Sequence, residues 1–88
     1  MLLKQIISDI NELKTQPTHR SGLIIFQLLD NNKNLFLQKM EQDNYNLALA
    51  SFERLSGASP KEYHTAGYRS DYERAHSLLM FYLDRIIT

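Results

Sequence analysis

Eighty-eight residues with ten basic and ten acidic side chains make one small domain, residues 1–88, without net charge. A chain of this length hides only about 60 to 65% of its unfolded surface, so its core is marginal and support from self-association is expected. The chain has no cysteine, which excludes disulfides, thiolate chemistry and cysteine-held zinc.

The charge balance holds within each half. Lys4, Lys14, Arg20, Lys33 and Lys39 offset Asp9, Glu12, Asp30, Glu41 and Asp43, and the five cations from Arg54 to Arg85 offset the five carboxylates from Glu53 to Asp84. Phosphate binding leaves a basic stripe, and none is present, so nucleic acid is not the expected partner. The opening MLLKQII is interrupted by Lys4 and lacks the apolar core of a secretory signal. No run approaches the roughly 18 apolar residues of a transmembrane helix. The expectation is a protein of the cytoplasm, with no membrane contact.

Leu3, Ile6, Ile7, Ile10 and Leu13 recur at spacings of three and four, which predicts a first helix over residues 2–14. Pro17 biases Gln16 away from helix, so this element stops near Lys14 or Thr15, and THRSG supplies turn and capping residues. His19 falls in that link.

Residues 23–56 admit two readings. The runs LIIFQLL and LFLQKM flank DNNKN, and apolar runs around an Asn/Asp cluster can pair as a β-hairpin. The helical reading places Ile24, Ile25, Leu28, Leu29, Leu35, Phe36, Met40 and Leu47 on one period, interrupted at Asn32 and Asp43. Helix is preferred, because residues 38–42 form helices well and β-branched residues are absent after Ile25 in this stretch. Asp30 or Asn34 then caps a new helix after a break near residues 30–34.

The next boundary has matched signals. Gly57 suits the left-handed position after a helix. Ser59, Pro60 and Glu62 supply an N-cap, a first-turn proline and a capping box, which predict a last helix from Pro60 to about Ile87. On it His64, Tyr68, Tyr72, Ala75, Leu79, Tyr82 and Ile86 form a heptad seam, and Tyr63, Gly67, Leu78 and Phe81 form a flanking stripe. Arg69 with Glu73, and Asp71 with Arg74, stand within reach of each other as self-paired surface charges. Gly67 inside a helix predicts close approach of a neighbouring helix.

The stretch from Ser56 to His76 gathers three tyrosines and two histidines, which raises the question of a site. His64 and His76 lie about 18 Å apart along one helix and cannot share a metal within one chain. No HExxH spacing, nucleophile elbow or glycine-rich phosphate loop is present, so neither a metal, a cofactor nor catalysis is expected. The tyrosines read as core residues whose hydroxyls reach a polar edge.

Two resemblances are visible. Phe52, Gly57, Ser59, Pro60 and Tyr63 in FERLSGASPKEY match the spacing at the end of the second helix-turn-helix of AraC-type regulators, and Ala75 to Leu79 resembles that family's closing A-x-x-L-L. Three additional residues separate Tyr63 from Ala75, and Arg54 is the lone cation of the preceding stretch. This resemblance implies a DNA-binding regulator. The order of a short helix, a Gly-Ser-Pro turn and a long helix with an internal glycine is similar to small helical-hairpin proteins of bacteriophages and prophages. It implies an assembly factor or an inhibitor of a host enzyme.

The combined expectation is an all-α protein, a short N-terminal helix, a middle helical segment and a long C-terminal helix forming a hairpin or small bundle. It is read as a non-enzymatic protein-interaction module encoded by a phage or mobile element. A helix from Pro60 to Ile87 would span about 42 Å, against a diameter near 30 Å for a compact chain of this size. Leu78, Phe81, Tyr82 and Ile86 also spread apolar surface around its second half. A homo-oligomer follows, with Tyr68, Tyr72, Leu79, Phe81, Tyr82 and Ile86 as candidate interface residues, beside a further protein partner.

Overall fold

The structure is a computed structural model describing residues 2–57 and 66–86. The predicted start of the last helix at Ser59–Pro60, with Tyr63 and His64, lies outside those residues. The described residues are all-α, with no strand: α1 (Leu2–Glu12), α2 (His19–Asn31), α3 (Lys33–Leu37), α4 (Gln42–Ser56) and α5 (Ala66–Ile86).

The first helix forms where its apolar period predicts, with Ile6, Ile7 and Ile10 buried and Leu3 and Leu13 packed at the edge. It ends in a turn through residues 13–15, where Leu13 and Lys14 donate backbone hydrogen bonds three residues back. Thr18 then caps α2, its hydroxyl oxygen accepting from the backbone N–H of Ser21 at 3.1 Å. Helix α2 therefore begins at His19, inside the expected link.

Residues 23–40 hold the rest of α2 and all of α3, with no strand, so the β-hairpin alternative falls away; residues 38–41, expected to favour helix, form the turn between α3 and α4. The chain bends at Asn32 (φ −120°, ψ 30°) and re-enters helix at once, while the Asn32 amide donates to the Leu28 carbonyl at 2.9 Å. The residue at the bend is thus Asn32 rather than Asp30 or Asn34. It satisfies an end carbonyl of α2 and leaves α3 without a side-chain cap.

Helix α4 carries the stripe Tyr45, Ala48, Phe52 and Leu55, at spacings of three, four and three. Leu47, predicted to share the middle segment's apolar period, is 52% exposed. It sits about 100° around the helix from Ala48, which takes the inward position. Gly57 ends α4 at φ −91°, ψ 0° rather than in the left-handed region, and its N–H reaches the Glu53 and Arg54 carbonyls.

Chain direction follows from the contacts. Tyr45, early in α4, bonds to Leu29 near the end of α2, and Gly22, early in α2, lies beside Leu55 and Ser56 at the end of α4. The two helices are antiparallel. Helix α5 reverses again, with Tyr68 at its start bonded to Leu55 at the end of α4. Helix α1 also runs antiparallel to α5, since Leu13 meets Tyr72 while Ile10 meets His76. The last helix is therefore held between α1 and α4.

Close backbone approach occurs at Gly22 and not at Gly67. A Cβ on buried Gly22 would stand 3.6 Å from Leu55 Cβ and 3.6 Å from the Tyr68 hydroxyl, whereas Gly67 is exposed in the first turn of α5. The length argument for self-association also changes. The 21 residues of α5 span about 31 Å, and the molecule measures 37 × 20 × 18 Å. An elongated body accommodates the described helix along its long axis.

Candidate protein interface

The inward arc of α5 answers the question raised by the tyrosine and histidine cluster. Tyr72 donates its hydroxyl hydrogen to the Leu13 carbonyl at 2.6 Å, Tyr68 donates to Leu55 at 3.0 Å, and Tyr45 of α4 donates to Leu29 at 2.7 Å. His76 Nε2 stands 2.7 Å from the Ile10 carbonyl. That carbonyl can only accept, so the ring is held with its proton on Nε2.

All four acceptors belong to the last turn of a helix or the turn just after it, where carbonyls lose their regular i+4 partners, and Ile10 and Leu13 also accept from the backbone N–H groups of Leu13 and Gln16. The aromatic rings bury apolar area while their polar tips satisfy those ends. Among the described residues no buried side-chain nitrogen or oxygen is left without a partner. Phe52 meets Tyr72 edge-on at 6.1 Å between centroids, and Tyr72 stacks on His76 at 6.1 Å.

Burial raises the Tyr72 hydroxyl pKa to about 12, against the opposing effect of Ser21, with neighbouring Tyr68 adding to the rise. Burial likewise lowers the His76 pKa, opposed by its bond to Ile10 and assisted by the charge of Lys14. Burial, followed by the nearby Asp30 carboxylate, raises the Tyr45 pKa. Ionisation of the Tyr45 and Tyr72 hydroxyls is thus disfavoured, and neutral His76 is engaged with backbone.

Of the six candidate interface residues, Tyr68, Tyr72 and Leu79 are buried inside the chain's own core. They are unavailable as a surface, because α1 and α4 already cover that arc. Tyr82 and Ile86 are half-buried at its edge. Phe81 alone stands well out, 51% exposed, with Leu78 beside it at 41%. The predicted seam is also rotated: fully inward positions include His76 and Leu83 in place of Ala75 and Tyr82.

Gly67, Asp71, Arg74, Leu78, Phe81 and Arg85 form one exposed line along α5. Their spacings of four, three, four, three and four place them on a single face. The Arg85 guanidinium lies 4.2 Å from the centroid of the Phe81 ring, and Tyr82 meets that ring at 5.7 Å. Clefts flank the ridge on both sides. Asn11, Lys14, Ser77 and Asp84 line one against α1, and Lys39, Glu41, Asn44 and Tyr82 line the other against the start of α4.

Of the two predicted surface pairs, Arg69–Glu73 is present at 3.2 Å, while Asp71 and Arg74 form no ion pair among the described residues. No three metal-ligating side chains converge among those residues, and no helix among them is long and apolar enough to cross a membrane. No protein-family model, curated protein or solved structure matches the chain.

Proposed function

We propose that this chain is a non-enzymatic protein-interaction module that docks through the outward face of α5. The observation that carries the reading is the exposure of Leu78 and Phe81 on a helix whose opposite arc is fully buried. Large apolar side chains adjacent on a surface and rimmed by charge are the usual composition of a protein contact. The aromatic cluster supports the same reading, since its polar atoms are spent on helix ends. The likeness to small phage and prophage hairpin proteins extends it to an assembly factor or inhibitor of a host protein, encoded by a phage or mobile element. Its place of action is then the cytoplasm of a bacterial cell or an infected host.

Affinity capture from host cells tests the reading, with the unaltered chain and Phe81→Glu as paired baits. A specific protein retained by the first and lost by the second is the expected result. Capture insensitive to Phe81→Glu would remove the face from consideration. The DNA-binding alternative is tested by gel shifts across a salt series, because phosphate contacts make affinity fall steeply with salt. Micromolar, salt-sensitive binding weakened by Arg54→Ala would overturn the proposal.

A further inference from the structure

We infer that α1 is a strap that opens ahead of the rest of the fold, and that a second proton on the His76 ring favours its opening. This does not rest on the interface reading above. It follows from how α1 is attached.

Helices α2 and α4 approach closely along their lengths, and α4 and α5 do so over a shorter stretch, whereas the backbone of α1 comes as near to none of its neighbours. Side chains make its attachment instead. Ile6, Ile7 and Ile10 are buried, and two side chains of α5 reach its C-terminal end, Tyr72 at the Leu13 carbonyl and His76 at the Ile10 carbonyl. Both carbonyls also accept backbone hydrogen bonds, from Gln16 and Leu13, so they keep a partner when α1 lifts away. The bonds that join α2 to α4 and α4 to α5, Tyr45 to Leu29 and Tyr68 to Leu55, involve no residue of α1. A terminal helix held in this way opens at a lower free energy than the whole fold.

His76 makes that opening sensitive to protons. The neutral ring donates its one proton, on Nε2, to the Ile10 carbonyl, so a further proton goes on Nδ1. The charge then lies in a buried position, with the Lys14 cation acting on it from the turn after α1. Asp84 lines the same cleft about 12 Å further along α5, and Tyr72 stacks on the ring. Helices α2 and α4 present Ser21 and Phe52 to Tyr72, neither of them charged. When α1 lifts, the ring meets water and Lys14 leaves with its helix, which relieves both the lost hydration and the repulsion. These two effects hold the His76 pKa below 6.5 in the closed fold. The open state therefore binds more protons between that lowered value and 6.5, and its population grows as pH falls through this window.

Amide hydrogen exchange of the full chain, followed residue by residue by NMR, tests both parts. Residues 6–12 of α1 should be protected at least about tenfold less than residues 49–55 of α4. Between about pH 7.5 and about pH 5.5, after correction for the intrinsic pH dependence of exchange, α1 protection should fall severalfold, with about tenfold as the limit for one imidazole. His76→Gln keeps a donor for Ile10 and should abolish the fall. His19 and His64 are present in both chains, so the comparison isolates His76. If His76→Gln does not fold, Lys14→Glu at an exposed position replaces it, and by exchanging repulsion for attraction it should reduce the fall. Equal protection of α1 and α4 at every pH overturns the strap. Protection of α1 that is independent of pH, or a fall that His76→Gln or its replacement leaves unchanged, overturns the role of His76.

Discussion

His76 shows how one polar side chain can be structural and still respond to solution conditions. Buried and bonded to the Ile10 carbonyl, it is held neutral, with its folded pKa below the ordinary value of 6.5. The unfolded chain therefore binds more protons than the folded one between that lowered value and 6.5, and stability rises with pH across this window. It is fully present above 6.5 and declines as pH falls below it. Urea unfolding at a series of pH values should show this loss in the unaltered protein. His76→Gln keeps a donor for Ile10 without a titrating group, so its profile should be flatter. A second residue with a local consequence is Gly22. The neighbours of an added Cβ stand at 3.6 to 3.7 Å, an ordinary contact distance, and no described glycine has positive φ. Gly22→Ala should thus stabilise the protein by about 0.5 to 1 kcal/mol through helix propensity. Gly22→Leu should destabilise it by about 1 to 3 kcal/mol by overfilling the space against Leu55 and Tyr68. Midpoints of chemical unfolding check both.

Helices α4 and α5 each carry apolar residues on more than one side, and their neighbours decide which are used. In α4 the inward stripe runs through Tyr45, Ala48, Phe52 and Leu55, while Leu47 points out. Phe52→Ala should cost about 3 to 5 kcal/mol, as for deletion of a buried aromatic ring that also packs against Tyr72. Leu47→Lys should change stability by no more than about 0.5 kcal/mol. A comparable loss from both substitutions would contradict the observed orientation of α4. In α5 the inward arc is wide because α1 lies against His76 while α4 lies against Tyr68 and Tyr72. Such two-sided cover leaves Leu78 and Phe81 as the outer edge.

For the molecule as a whole, a second copy bound to the outward face of α5 would link self-pairing to folding. A partner that binds only the folded chain shifts the unfolding equilibrium by mass action, so apparent stability depends on protein concentration. The thermal midpoint should rise as concentration increases, and Phe81→Glu should abolish that dependence while leaving the low-concentration midpoint nearly unchanged. A midpoint independent of concentration in the unaltered protein would show that folding needs no second copy. The elongated shape, 37 Å along its major axis, is compatible with this linkage. A helix lying along a long, narrow body presents most of its outer line to solvent, where a second helix can reach it.

Local chemistry made the helices legible. The α1 period, the stop before Pro17 and the break near residues 30–34 depend on neighbours in the chain and appear in the structure close to expectation, whereas α2 starts at His19, inside the expected link. The all-α class follows from the same signals. What was not legible is which apolar residues face inward. Tyr72, Leu79 and Phe81 look equally suited to a core or an interface by composition, and the first two are buried while the third is exposed. The difference lies in where α1 and α4 come to rest against α5, which depends on contacts between residues up to 66 apart in the chain. The stripe of α4 was missed because alanine and tyrosine weaken its apolar signal, and close approach was assigned to Gly67 because a helical glycine carries no mark of its neighbours. The roles of the tyrosines and of His76 were hidden for a related reason. A hydroxyl or an imidazole needs an acceptor, but only packing brings it to a carbonyl in or just after the last turn of another helix.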